Sequence, residues 1–159
     1  MQQWTTVDKS SWKYGQDEPD KVQWKDEATG FDCLIVRNFG GALCGYVGVH
    51  ADHPAHGVHY MDLGFDSEVH GGLTFSGGCQ HSEDPAKGIC HIPAEGEADD
   101  LWWLGFDCGH CYDICPGYES AITPYPESEY RDLEYVKSEV RNLAAQLVIE
   151  HLRIGTNDE

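Results

Sequence analysis

Histidines and cysteines are concentrated in the middle of this chain. Eight of its nine histidines and all seven cysteines fall between residues 33 and 115. Neutral imidazole and thiolate are the preferred ligands of zinc and of neighbouring transition metals, and a domain of this size needs few of either for packing. The concentration therefore predicts a metal-binding protein, with zinc as the expected ion.

The densest stretch is FDCGHCYDICP, residues 106–116. It follows an apolar run, so the end of a strand would hold its side chains rigidly. Alternation along an extended chain would place Cys108 and His110 on one face, as two ligands of a single ion require. Asp107 or Asp113 could then orient a ligand imidazole or act as the catalytic base.

A zinc site needs three or four ligands, so other members must come from elsewhere in the chain. The candidates are His70, Cys79, Cys90 and His91. The set that we predict is His70, His91, Cys108 and His110. The spacing matches no standard zinc finger, and ordinary buried thiols with surface imidazoles are the alternative interpretation.

Four further histidines recur at every third position, at residues 50, 53, 56 and 59. Pro54 and Gly57 interrupt any helix that would align them, so we interpret this stretch as a loop. Of the four histidines, His53 is the candidate pocket residue and a candidate for a catalytic role.

Three aromatic side chains are the candidate lining of a ligand pocket: Tyr46, Trp102 and Trp103. Because neighbours in a strand point to opposite faces, at most one of the two tryptophans lines the pocket and the other packs in the core. A pocket of this kind would take a small molecule or a nucleotide.

The tetrapeptide CGHC at residues 108–111 offers a redox alternative. It resembles the active site of protein disulfide isomerases, and it also follows an apolar strand. A thioredoxin fold would continue into a long helix and further strands, whereas this chain runs into a segment rich in glycine and proline. With Cys115, the same cysteines approximate a ferredoxin-like run, but one cysteine is missing.

The chain is strongly acidic, with 28 Asp and Glu against 10 Lys and Arg and a formal net charge of −18. Direct binding to nucleic acid or to an anionic membrane is therefore not expected. The excess favours solubility, or it imitates nucleic-acid phosphates toward a basic partner.

The chain shows neither a signal-like N-terminus nor a run of about 18 apolar residues. We therefore expect a cytoplasmic protein whose cysteines are thiols or metal ligands rather than a disulfide framework.

Apolar patterning predicts one α+β domain over residues 1–159, a small, mainly antiparallel sheet packed against a C-terminal amphipathic helix, with many loops. Residues 1–29 are expected to form an irregular arm and residues 30–115 a β-rich core. The predicted strands are residues 31–38, 42–50, 69–77 and 101–106. We interpret residues 78–100 as a solvated loop.

The helix is predicted over residues 128–153. Its apolar stripe recurs at steps of three and four, at Leu133, Val136, Val140, Leu143 and Leu147. Ser128 is a suitable N-cap, and the stripe is expected to pack on the sheet rather than on a partner helix.

Several segments resemble an uncharacterised family of small proteins encoded by bacteriophages and actinobacteria. They are EPDKVQWKDEATG, LCGYVGVHADHPAHG, VHGGLTFSG, WWLGFDCGHCYDICPG and YRDLEYVKSEVRNLAAQL, and they cover most of residues 18–147. The family signature resembles W-W-x-G-F-D-C-x-H-x-x-D-x-x-P, which residues 102–116 match at each specified position. Cys111 and Cys115 are not part of it, which weakens both redox interpretations. The resemblance implies a phage or bacterial setting and a host-directed role, without a particular activity.

Three functions are consistent with these patterns. In the first, a metal-dependent hydrolase, His70, Cys108 and His110 hold the ion and an aspartate activates a bound water. In the second, a structural metal stiffens a non-catalytic module that binds a small molecule, a nucleotide or a host protein in counter-defence. In the third, the acidic surface competes with nucleic acid for a host factor.

Overall fold

One antiparallel sheet and one helix make up the fold in the computed structural model, which describes residues 1–64, 67–118 and 125–148. The strands are β1 (Gln2–Trp4), β2 (Lys21–Lys25), β3 (Asp32–Arg37), β4 (Leu43–Val49), β5 (Phe75–Gly77) and β6 (Trp102–Asp107). Their order across the sheet is β1-β2-β3-β4-β6-β5. The helix α1 (Leu133–Gln146) packs on β3 and β4, and a short 3-10 helix spans Tyr60–Asp62. The predicted α+β class is confirmed.

The centre of the sheet is formed by β3 and β4, in which every residue is buried. Their apolar, β-branched composition suits strands that are covered on both faces. Glycines in β4 allow close packing: a Cβ at Gly45 would lie 2.5 Å from Val140 Cγ2, and one at Gly48 would lie 2.9 Å from the Trp103 ring. These glycines therefore serve close packing on the two faces of the sheet.

The sheet has an apolar cluster on each face. The cluster under α1, here called the helix-side core, includes Val47, Leu104, Phe106, Val140 and Leu143. The cluster on the opposite face, here called the second core, includes Leu34, Val36, Tyr46, Leu101 and Trp103. Alternation along β4 and β6 explains the division, because successive side chains point to opposite faces.

The segment between β5 and β6, residues 78–100, is mostly exposed, as predicted for a solvated loop, but its buried residues form a cover for the second core, which was not predicted. Ile89 packs against this core, and Cys90 and His91 are buried. Lys21 anchors the segment from beneath: its Nζ donates to the carbonyl oxygens of Pro85 (2.7 Å), Gly88 (2.8 Å) and Cys90 (2.7 Å). Because all three of its donors are used, a fully buried lysine is compatible with this position.

The N-terminal residues are not the irregular arm that we predicted, since β1 and β2 extend the sheet at one edge. Between these strands the chain is held by a buried carboxylate. Asp20 Oδ1 accepts from Lys9 Nζ and from Arg37 Nε, each at 2.7 Å, and its Oδ2 accepts two backbone N–H groups. Each of these charges is paired, which makes their burial tolerable.

The helix is shorter than the predicted range of 128–153. It begins after Asp132, whose side chain accepts from the backbone N–H of Tyr135, so Asp132 and not Ser128 is the N-cap. The apolar stripe packs on the sheet as predicted, with Leu133 partly buried and its other members buried. Predicted helical residues 149–153 lie outside the described residues. Within the described ranges no helix is long and apolar enough to cross a membrane.

The predicted strand over residues 69–77 is reduced to β5. Gly71 and Gly72 have φ values of +67° and +77°, so the chain turns there instead of extending. This turn carries His70 toward the end of β6.

Candidate functional site

Two imidazoles and two carboxylates converge where β6 ends. We call His70, Asp107, His110 and Asp113 the His–Asp cluster. His70 Nε2 lies 2.7 Å from Asp113 Oδ2, His110 Nε2 lies 3.5 Å from Asp107 Oδ1, and the two imidazole centroids are 5.9 Å apart. The structure therefore brings together four of the residues that the sequence singled out, as two His–Asp pairs.

Asp113 is the most enclosed member, with a side chain that is 1% exposed. Its Oδ2 accepts from the His110 backbone N–H at 3.0 Å, and its Oδ1 accepts from Arg131 Nε at 3.0 Å. Burial opposes the charged form, but hydrogen bonds from His70, from the His110 amide and from Arg131 outweigh it and lower the pKa of Asp113. With its oxygens occupied, Asp113 fixes the turn instead of acting as the base that we predicted.

His70 connects this turn to the helix. Its Nδ1 lies 2.8 Å from Tyr135 Oη, and that hydroxyl donates to Glu139 Oε1 at 3.3 Å. The His70 side chain is 13% exposed, and both of its ring nitrogens have partners. The sequence does not indicate that Arg131 and Tyr135 belong to the site, because both lie in a segment whose pattern predicts only a helix.

His110 and Asp107 form the more exposed pair, with side chains that are 38% and 31% exposed. Asp107 is oriented by Thr74, whose hydroxyl donates to its Oδ1 at 2.8 Å, and by the backbone N–H of Gly109, which donates to its Oδ2 at 3.1 Å. The His110 ring lies against Gly71, where a Cβ would be 2.2 Å from Nε2. Only a glycine leaves room for this ring position.

Cys108 does not share a face with His110, contrary to the prediction. β6 ends at Asp107, so the alternation on which that prediction depended does not reach His110. The Cys108 side chain belongs to the helix-side core, and burial raises the pKa of its thiol. A catalytic disulfide exchange needs the opposite shift, and the motif continues into turns rather than a helix.

His91 lies beside Trp103, near the start of β6, whereas the His–Asp cluster lies where β6 ends. Its ring centroid is 5.9 Å from that of Trp103 in the second core. His91 therefore cannot share an ion with His70 and His110, and the four-ligand set that we predicted does not assemble. The error arose because spacing along the chain does not reveal where on the sheet a loop packs.

The three predicted pocket aromatics are packing residues. Trp103 is 0% and Tyr46 is 6% exposed, and the Tyr46 ring contacts Phe75 edge-on. Trp102 lies on the helix side, where its Nε1 donates to the carbonyl of Val58 at 3.0 Å. The two tryptophans do point to opposite faces, and Trp103 packs with Tyr46 in the second core.

A cavity of about 330 Å³ lies elsewhere, between β2 and the residues that follow Cys90. Its polar lining includes Gln23, Lys25, Asp32, His91 and Glu97. Within the described ranges, neither ring nitrogen of the buried His91 has a hydrogen-bond partner. The sequence did not indicate this cavity because its lining comes from separate segments.

His53 is a structural residue and not the catalytic one that we predicted. Its Nδ1 accepts from the backbone N–H of Ala55 at 3.0 Å, so its Nε2 carries the proton and donates to the carbonyl of Leu147 at 2.7 Å. That carbonyl belongs to the C-terminal end of α1, where backbone acceptors lack partners within the helix. His53 therefore caps the helix and has no nitrogen left for chemistry.

A second group of potential ligands lies within the cover segment. We call Cys79, His81, Cys90 and Asp99 the thiol cluster; its ligand atoms all lie within 4.8 Å of one another, so the group could hold a metal ion. Cys79 and Cys90 form a disulfide, contrary to the prediction of thiols, whereas the other five cysteines are free. Asp99 Oδ1 lies 2.9 Å from Cys79 Sγ, and His81 Nε2 lies 3.5 Å from Asp99 Oδ2.

Comparisons with protein-family models, with curated proteins and with solved structures find no match to this chain. Function must therefore be inferred from the geometry and chemistry of the chain itself.

Proposed function

We propose that this chain is a zinc-binding protein and that the thiol cluster is its zinc site. The observation that carries the proposal is the convergence of four potential ligand atoms within 4.8 Å of one another. Two thiolates, one imidazole and one carboxylate are all zinc ligands, and four ligands complete a tetrahedral shell. A shell closed in this way is typical of a structural ion rather than a catalytic one.

The position of the cluster indicates what the ion would stabilise. Cys79 follows β5, and Cys90 is buried in the cover segment, where its carbonyl accepts from Lys21 Nζ. An ion that joins these cysteines would clamp the cover segment over the second core. The proposed role of zinc is therefore to hold one layer of the fold in place.

The disulfide and the zinc ion are alternative states of the same two sulfurs. A dithiol reductant supplies two electrons and two protons to the disulfide and yields two thiols. These thiols lose their protons when they bind Zn²⁺. We therefore expect zinc in the reduced protein and no zinc in the oxidised protein.

The test is elemental analysis of protein purified under reducing conditions, with thiols counted in parallel. Wild type and Cys111→Ala, which removes an exposed free thiol, should each carry about one zinc per chain. Cys90→Ser should lose it, and a Cys108→Ala, His110→Ala double variant should retain it. Fully reduced wild type without zinc, or zinc retained by Cys90→Ser, contradicts the proposal.

A further inference from the structure

His110 has one ring nitrogen directed into the protein. Nε2 is buried against Gly71 and lies 3.5 Å from Asp107 Oδ1, outside hydrogen-bond geometry, and it has no hydrogen-bond partner among the described residues. The ring as a whole is 38% exposed. An aspartate behind one nitrogen leaves the other to accept a proton from a group in solvent, and such contacts are often long before substrate binds.

The groups around His110 hold it in place. Asp107 receives one hydrogen bond from Thr74 and one from the backbone of Gly109, so its carboxylate is oriented before any ligand arrives. Asp113 accepts the backbone N–H of His110 and is itself bound by Arg131. Preorganisation of this kind is what a proton-transfer group needs in order to act at a fixed position.

We propose that the His–Asp cluster is a second, catalytic site, in which His110 is the general base for hydrolysis of a neutral or cationic acyl ester or amide. Water transfers a proton to His110 as its oxygen attacks the acyl carbon. The new carbon–oxygen bond forms, and the bond to the alcohol or amine leaving group breaks. The proton then passes from the imidazolium to the leaving group, which yields a carboxylic acid and an alcohol or amine.

The attacking group is water rather than the Cys108 thiol. Cys108, which precedes the turn that carries His110, is buried in the helix-side core, and burial raises the pKa of its thiol. A thiol kept protonated and covered is a poor nucleophile. The role that remains for Cys108 is packing beneath the turn.

The charge around the site selects against anionic substrates. Asp107 and Asp113 lie within the cluster, and Glu139 bonds to Tyr135 beside it. The nearby guanidinium of Arg131 is already paired with Asp113 and Glu129. With a net charge of −18 on the whole chain, a phosphate dianion would be repelled. Neutral or cationic acyl compounds are therefore the fitting class.

The test is hydrolysis of p-nitrophenyl acetate, a neutral ester, beside p-nitrophenyl phosphate, which is a dianion. Wild type should accelerate ester hydrolysis above buffer and leave the phosphate untouched. His110→Gln should reduce kcat/KM about 100-fold, since general-base catalysis contributes at least that much. The matched control is His50→Gln, because His50 is also an exposed histidine paired with a carboxylate, Asp100, at 2.9 Å. This control should retain full activity.

Two further variants separate catalysis from folding. His110→Asn should be as inactive as His110→Gln, with wild-type circular dichroism and melting temperature. Asp107→Asn should lower kcat and leave KM unchanged, because Asp107 positions the base and does not bind substrate. The proposal is overturned if wild type is no faster than buffer, or if both His110 variants keep wild-type rates. Equal losses in His50→Gln and His110→Gln, or hydrolysis of the phosphate, also overturn it.

Discussion

The His–Asp cluster and the thiol cluster are built in different ways. The first lies at the end of β6 and connects to α1 through partly buried hydrogen bonds that join Asp113 to His70 and His70 to Tyr135. The second lies in the cover segment, and two of its members are exposed: the His81 side chain by 70% and that of Asp99 by 35%. One is held by the fold, whereas the other holds part of the fold in place. A substitution in the His–Asp cluster should therefore lower the stability of the fold. A substitution in the thiol cluster should instead remove zinc binding or the disulfide.

The largest difference in the free energy of unfolding is expected between Asp113→Asn and Asp99→Asn, both in oxidised, metal-free protein. Asp113→Asn leaves Arg131 and His70 without their buried partner and should lower the free energy of unfolding by about 3 kcal/mol. Asp99→Asn should change it by less than about 0.5 kcal/mol, because its partly exposed side chain is hydrated. Urea unfolding curves measure both values. Similar losses at the two positions would show that the contrast is wrong.

A smaller effect is expected where the cover segment is anchored. Lys21→Met leaves three carbonyl groups without their donor and should lower the free energy of unfolding by about 2 kcal/mol. Limited proteolysis should also cut residues 78–100 faster than in wild type. Lys25→Met is the control, because that side chain is 59% exposed and should cost less than about 0.5 kcal/mol. Equal proteolysis of the two variants would argue against anchoring by Lys21.

The smallest effect concerns the glycine pair beside His110. Alanine is strained at both positions, since φ is positive at Gly71 and at Gly72. Only at Gly71 does a Cβ meet the His110 ring, at 2.2 Å, whereas the space around Gly72 is open within 4 Å. Gly71→Ala should therefore cost about 1 kcal/mol more than Gly72→Ala. Matched thermal unfolding of the two variants measures this difference, and equal costs would mean that the ring moves aside freely.

The sequence predicts the parts of the fold where one physical signal dominates. Apolar runs mark β3, β4 and β6, and a stripe at steps of three and four marks α1, since burial sets both patterns. It does not predict β2, because Lys21 and Gln23 face a cover whose existence depends on distant residues. The sequence does not distinguish a buried lysine from a solvated one, because the three carbonyl groups that accept from Lys21 belong to a distant segment.

The same reasoning explains why the sequence indicates the His–Asp cluster but not the thiol cluster. Asp107, His110 and Asp113 are neighbours in sequence, so a short pattern indicates that they meet. The members of the thiol cluster are separated by a path that turns through the cover segment, and periodicity carries no information about such a path. The place where His91 packs was unpredictable for the same reason.

The reactivity of Lys21 also reports how often the cover segment opens. An amine is acylated only when it is free of hydrogen bonds and open to solvent, and this one lies beneath residues 78–100 with all three donors occupied. When acylation is faster than reclosing, the rate at which Lys21 takes up an acyl label is therefore the rate at which that segment opens. A single mass-shifted peptide would report a motion that no average structure contains.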